Sequence, residues 1–175
     1  MELEGLVKVS WLPFELHPEA PIEGIPREAY FGRARSETMR DHMRGVAAEV
    51  GLKMESRDVL INSRRALGAA EYAREHGKYG EMHQALFKAH WEQTAKLESV
   101  DDLVAIGVSI GIDAEGLRQA IDSGRYEAVI DQTRMEAEAM GINAIPAHVF
   151  GGRYLVLGAQ PYEVFQQVLE RLRSQ

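Results

Sequence analysis

Apolar and polar residues alternate near the start of the chain. Val7, Val9 and Trp11 are separated by Lys8 and Ser10, a period of two that predicts a strand over Val7–Leu12. Pro13 has no N–H to donate to a ladder, so the strand ends there or runs at a sheet edge. Pro18, Pro21, Pro26 and Gly24 make residues 17–26 an extended loop. The period then becomes helical. Met39, Met43, Val46, Ala47 and Val50 share one face, with Ser36 as N-cap and Gly51 as the stop. Asn62-Ser63 caps a helix running toward His76, closed by Gly77. Another helix covers Glu81 to about Thr94, with Met82, Leu86, Phe87 and His90 on one side. Ser99-Val100-Asp101-Asp102 reads as a capping box with aspartate in place of glutamate, and Gly111 ends the helix it starts. Asp113 caps a helix up to Ser123, and Tyr126–Met140 is amphipathic and stopped by Gly141.

The alternation then returns. Ala147–Phe150 reads as a short strand, Gly151-Gly152 as a two-residue hairpin turn, and Tyr154–Leu157 as the partner strand. Pro161 opens the last helix at its first position, with Val164, Phe165, Val168, Leu169 and Leu172 as its apolar face. No fixed repeat links the helices, and their loops are short. The order predicts a single α/β domain over residues 1–175, in which a helical insertion over 27–140 divides one small sheet. That sheet comes from Val7–Leu12, Ala147–Phe150 and Tyr154–Leu157, backed by Pro161–Arg173.

The 175 residues are 45% hydrophobic and 27% charged, which suits a folded globular chain and argues against global disorder. A net charge of −7 disfavours non-specific nucleic-acid binding, which needs cations at the phosphates. Met1–Gly5 is acidic and lacks the basic start and apolar core of a signal peptide, and no run is long enough to span a membrane. The expected compartment is the cytoplasm. The chain has no cysteine, so it carries no disulfide, no thiolate metal site and no thiol chemistry of its own.

Other candidate groups read as structural. His83 and His90 share a helix face but lack the four-residue spacing of zinc helices, so no metal site is expected. His17 lies in the proline loop, and His42 and His76 read as exposed. His148 adjoins Pro146 on a strand, where packing is favoured over acid–base work. Met39, Met43, Met82, Met135 and Met140 lie on helical faces and are expected to fill core gaps. Trp11 is expected in the core, and the acidic stretch Glu92–Asp102 is read as a solvated helix junction.

Four segments together carry a family resemblance: Val9–Pro18 (V-S-W-L-P-F-E-L-H-P), Asn62-Ser63-Arg64, Gly141–Ala147 (G-I-N-A-I-P-A) and Gly152–Pro161 (G-R-Y-L-V-L-G-A-Q-P). In that order and spacing they resemble the DsbA-like branch of the thioredoxin superfamily, and more narrowly its cytoplasmic FrnE-type oxidoreductases. The resemblance implies a thioredoxin-like mixed sheet with a helical insertion. It also implies that Pro146 is the family's cis-proline, with Ile145, Ala147 and His148 beside it in a substrate-binding site and Gly158, Gln160 and Trp11 near that site. Ala147 departs from the threonine that often follows this proline, and His148 from the usual aromatic.

The front of the chain departs further. Members of the family begin with a strand, then a Cys-x-x-Cys at a helix start, then the strand matched by Val7–Leu12. This chain begins about where that helix finishes, with Leu3 and Leu6 as its last apolar residues. Disulfide exchange needs a thiolate whose pKa is lowered at a helix N-terminus, and no residue here replaces it. The expected function is therefore that of a DsbA-family relative that is redox-inactive on its own and needs no cofactor. A central strand left out exposes backbone groups at about 1–3 kcal/mol each, against a total stability of roughly 5–15 kcal/mol. The remaining strand pairs closing on one another, a second copy filling the gap, or a start assigned too late are three solutions, and a homodimer is preferred. The expected partner is an extended peptide or thiol substrate, with no nucleic acid and no membrane. Two alternative readings are a non-catalytic module that binds peptide by strand pairing, and a glutathione-binding protein resembling the 2-hydroxychromene-2-carboxylate isomerases and kappa-class transferases.

Overall fold

Side-chain hydrogen bonds mark the starts of three helices. Ser99 Oγ accepts from the Asp102 N–H at 3.3 Å and Asp113 Oδ2 from the Gly116 N–H at 2.6 Å. Asn62, not Ser63, supplies the cap next to Arg64: its Oδ1 accepts the Arg64 N–H at 3.0 Å while its Nδ2 donates to the Ala20 carbonyl. The computed structural model describes residues 7–55 and 57–174. Its elements in chain order are β1 (Ile25–Pro26), α1 (Arg27–Phe31), α2 (Arg33–Glu49), β2 (Val59–Leu60), α3 (Arg64–Glu75), α4 (Tyr79–Trp91), α5 (Val100–Ser109), α6 (Ala114–Asp122), α7 (Glu127–Ala139), β3 (Ala147–Phe150), β4 (Tyr154–Leu157) and α8 (Tyr162–Arg173). They fall into two compact units, Met1–Asp131 and Gln132–Gln175.

The first unit is a helical block. Alanines on α3 (Ala66, Ala69, Ala70 and Ala73) are small enough to bring neighbouring helices close, and they share a core with Met82, Leu86, Leu103, Leu117 and Tyr126. β1 and β2 form a two-residue antiparallel bridge, Ile25 opposite Leu60 and Pro26 opposite Val59. Gly24 precedes it with φ +80°, where a Cβ would collide with Val59 Cγ1 and lie 2.8 Å from the Leu60 carbonyl oxygen.

Val7–Leu12 is not a strand. Among the described residues it pairs with no ladder, because alternation produces a strand only where a neighbouring backbone accepts it. Arginines on α3 hold the chain at Trp11 and Glu15 instead. Arg74 donates to the Trp11 carbonyl at 2.6 Å while it pairs with the buried Glu71 at 2.8 Å. Arg64 grips Glu15, whose side chain is 1% exposed, at 2.6 Å and also pairs with Asp131 at 2.7 Å. Trp11 is 51% exposed, against the core position expected for it, and its ring lies 4.6 Å from that of His83 on α4. Leu3 and Leu6 lie outside the described residues.

Other expectations change in detail. Ser36 is not an N-cap but a buried residue inside α2, its hydroxyl donating to the Arg27 carbonyl at 3.1 Å. The short helix α1 ahead of it has no strong sequence signal. Of the methionines, Met82 is fully buried and Met39 half-buried, whereas Met43, Met135 and Met140 are exposed. The expected single sheet is two separate antiparallel pairs among the described residues, β1–β2 and β3–β4.

His90 on α4 introduces a pH dependence. Its Nδ1, Arg57 Nε and Glu98 Oε2 are buried without hydrogen-bond partners among the described residues, and its ring lies edge-on to Trp91 at 4.6 Å. Burial lowers the His90 pKa from its ordinary 6.5; the cations Arg57 and Arg27 add to this and Glu98 opposes it. The unfolded chain therefore takes up this proton at higher pH than the folded one. Stability is kept above the ordinary imidazole pKa and falls as the pH drops from there toward the lowered value. The urea midpoint should fall over that interval, and His90→Gln should flatten the fall. A fall of equal steepness in the variant would exclude His90 as its source.

Candidate functional site

The second unit is organised by the β3–β4 hairpin and α8. Ala147 pairs with Leu157, His148 with Val156, Val149 with Leu155 and Phe150 with Tyr154. That register leaves three residues, Gly151–Arg153, in the connection, one more than expected. Gly151 and Gly152 both have positive φ, at 55° and 67°, and the Arg153 N–H donates to the Phe150 carbonyl at 3.0 Å. α8 begins at Tyr162, with Pro161 as its N-cap rather than its first residue. Its buried Phe165 meets His148 at 5.0 Å in an edge contact and Phe150 at 5.9 Å. The apolar face expected for α8 is thus the one that covers the hairpin.

The residues singled out around Pro146 form one contiguous feature. The Ile145–Pro146 peptide bond is cis. The Pro146 carbonyl accepts from the Gly158 N–H at 2.8 Å, which extends the β3–β4 register by one position. Gln160 Nε2 donates to the Leu157 carbonyl at 2.9 Å and closes the same end of the hairpin. Ile145 is 52% exposed and Ala147 half-buried. His148 turns its ring to Phe165, and its buried Nδ1 has no hydrogen-bond partner among the described residues. Trp11 belongs to the first unit, beside His83.

Hydrogen-bond alternation defines what this feature offers. The Gly158-to-Pro146 bond makes Pro146–Gly158 a bonded pair, so His148–Val156 and Phe150–Tyr154 are the next bonded pairs. The N–H and C=O groups of Ala147 and Val149 therefore point away from β4. Among the described residues no strand lies on that side of β3. Val149 is also exposed. The result is a short open edge beside Pro146, with backbone donors and acceptors directed outward. No cluster of three His, Asp or Glu residues able to hold a metal occurs among the described residues. No described helix is long and apolar enough to cross a membrane.

A short antiparallel hairpin covered by one helix, following a long helical segment, defines a DsbA-like thioredoxin fold. Residues 2–170 match the DSBA-like thioredoxin domain, and the chain belongs to that family. The crystal structure of a "probable DsbA oxidoreductase" from Streptomyces coelicolor superposes with a TM-score of 0.88 at 25% identity, covering 98% of this chain and 77% of that one. A "putative protein disulfide isomerase" from Nitrosomonas europaea shares the fold at a TM-score of 0.64 and 16% identity, covering 81% and 74%. The uncharacterized protein YwbO of Bacillus subtilis is 23% identical over 171 residues, 93% of this chain and 81% of its own length.

Sequence reasoning found the hairpin because glycine and proline punctuate it. It missed the Arg64–Glu15–Asp131 contact, whose members lie far apart along the chain and fit no local motif.

Proposed function

We propose that this chain is a FrnE-type member of the DsbA-like family that performs no dithiol exchange with its own side chains and holds an extended peptide by pairing with β3 beside Pro146. The open edge of β3 carries the reading. Ala147 and Val149 offer their N–H and C=O groups to an added strand, a mode in which main-chain bonds supply affinity and flanking pockets supply selectivity. The absence of cysteine removes the attacking sulfur from this polypeptide. Exposed Ile145 and Val149 supply apolar contacts for a peptide side chain.

The test uses Val149→Pro. Proline there removes an outward N–H without deleting a β3–β4 ladder bond, because that pair is non-bonded. Titration of the wild-type chain with an unstructured reduced and alkylated polypeptide should show saturable binding. Val149→Pro should weaken it by roughly tenfold, the loss of one main-chain bond, with the far-ultraviolet circular dichroism unchanged. Insulin reduction by dithiothreitol should run at the uncatalysed rate. Equal binding by Val149→Pro would remove the strand-pairing reading, and catalysed insulin reduction would remove the redox-inactive one. Protection from heat by glutathione, without peptide binding, would favour the transferase-like alternative.

A further inference from the structure

A polar cavity of about 330 Å³ lies in the first unit, lined by Arg27, Arg33, Ser36, Glu37, Arg40 and Asp58 together with Pro26 and Glu28. That volume falls within the roughly 300–1,000 Å³ typical of small-molecule sites. Its charges are unequally satisfied. Arg33 pairs with Glu28 at 3.2 Å and Arg40 with Asp58 at 2.9 Å. Arg27 forms no ion pair among the described residues, although it is half-buried. Its guanidinium carbon lies 5.4 Å from the centre of the Phe31 ring, within cation–π range. Its backbone is held on both sides, the N–H by the Asp58 carbonyl at 2.8 Å and the C=O by the Ser36 hydroxyl at 3.1 Å. Burial and the neighbouring Arg40 both disfavour its charge, and Asp58 offsets this only in part. Glu37 is exposed. A positioned, half-buried and unpaired guanidinium lining a cavity is a receptor for an anion.

We propose that this cavity binds the phosphate group of a small molecule, with Arg27 as the primary cation. Phosphate suits the site better than a carboxylate. Its additional oxygens and charge reach Arg33, which Glu28 holds only through an exposed pair, while Arg27 takes the bidentate position. Arg40 stays with Asp58. This site is independent of the β3 edge and of any thiol chemistry.

The experiment is a thermal-shift and calorimetric titration of the full chain with inorganic phosphate, at constant ionic strength maintained with chloride and with acetate in parallel. Wild-type protein should be stabilised saturably by phosphate and much less by acetate. Arg27→Gln should weaken phosphate binding by roughly tenfold or more, the fold-change that corresponds to losing a charge-assisted hydrogen bond. Arg44→Gln removes an equal charge from α2 outside the cavity and should bind as wild type does. If Arg27→Gln fails to fold, Glu37→Gln decides, since removing that acid from the lining should tighten phosphate binding. Non-saturable stabilisation, equal response to acetate, equal losses in Arg27→Gln and Arg44→Gln, or no gain in Glu37→Gln would each overturn the proposal.

Discussion

Arg64→Ala is expected to lower the unfolding free energy by about 3–5 kcal/mol, the usual cost of removing one partner from a buried ion pair. The reason lies in Glu15, whose carboxylate is 1% exposed and has both oxygens directed to Arg64. Without the guanidinium this charge stays buried with no counterion. Asp131, at 45% exposure, returns to solvent at little cost and contributes a minor part. The two contacts together hold the Arg64 pKa above its ordinary value, so the arginine is charged at every accessible pH. Urea denaturation should show a lower midpoint with an unchanged m-value. The double variant Glu15→Leu/Arg64→Met should recover most of the loss, because replacing a buried pair with apolar groups is often neutral. A single variant within about 1 kcal/mol of wild type, the size of an exposed pair, would show that Glu15 is solvated in solution.

Leu117→Ala is expected to cost about 2–5 kcal/mol through lost burial and the cavity left behind. Leu117 is 0% exposed on α6 and fills the space facing Gly107 of α5. A Cβ at Gly107 would collide with Leu117 Cδ2, with Met82 Cε at 3.6 Å and Ile112 Cβ at 3.7 Å behind it. Gly107→Ala alone should therefore destabilise by overpacking, about 1–3 kcal/mol less the helix-propensity gain of roughly 1 kcal/mol. In the double variant the new methyl enters the space that Leu117 vacates. The combined loss should be smaller than the sum of the two, a coupling readable in a double-mutant cycle. Simple additivity would mean that α5 and α6 do not meet at this point.

The helical block was legible where local chemistry decides it. Ser99, Asp113 and the helix-ending glycines mark boundaries within a few residues of those found, and alternation flanking Gly151-Gly152 located β3 and β4. The DsbA-like fold was legible in motifs distributed from Val9 to Pro161. Long-range decisions were not legible. Val7–Leu12 has the right alternation, but its Trp11 carbonyl is held by Arg74 on α3, which no spacing rule connects to it. Ser36 looks like a cap, yet α2 starts three residues earlier and takes it inward. The Arg27 cavity has no linear signature, because its lining comes from α1, α2 and the segment before β2.

The chain has two indoles, and each lies 4.6 Å from an imidazole: Trp11 from His83 and Trp91 from His90. Burial lowers the pKa of both histidines. A protonated imidazole quenches an adjacent excited indole by accepting an electron, whereas the neutral ring does so far less. Tryptophan emission from this protein therefore follows the charge of two histidines as well as the integrity of the fold, and dimming on acidification is not by itself a sign of unfolding.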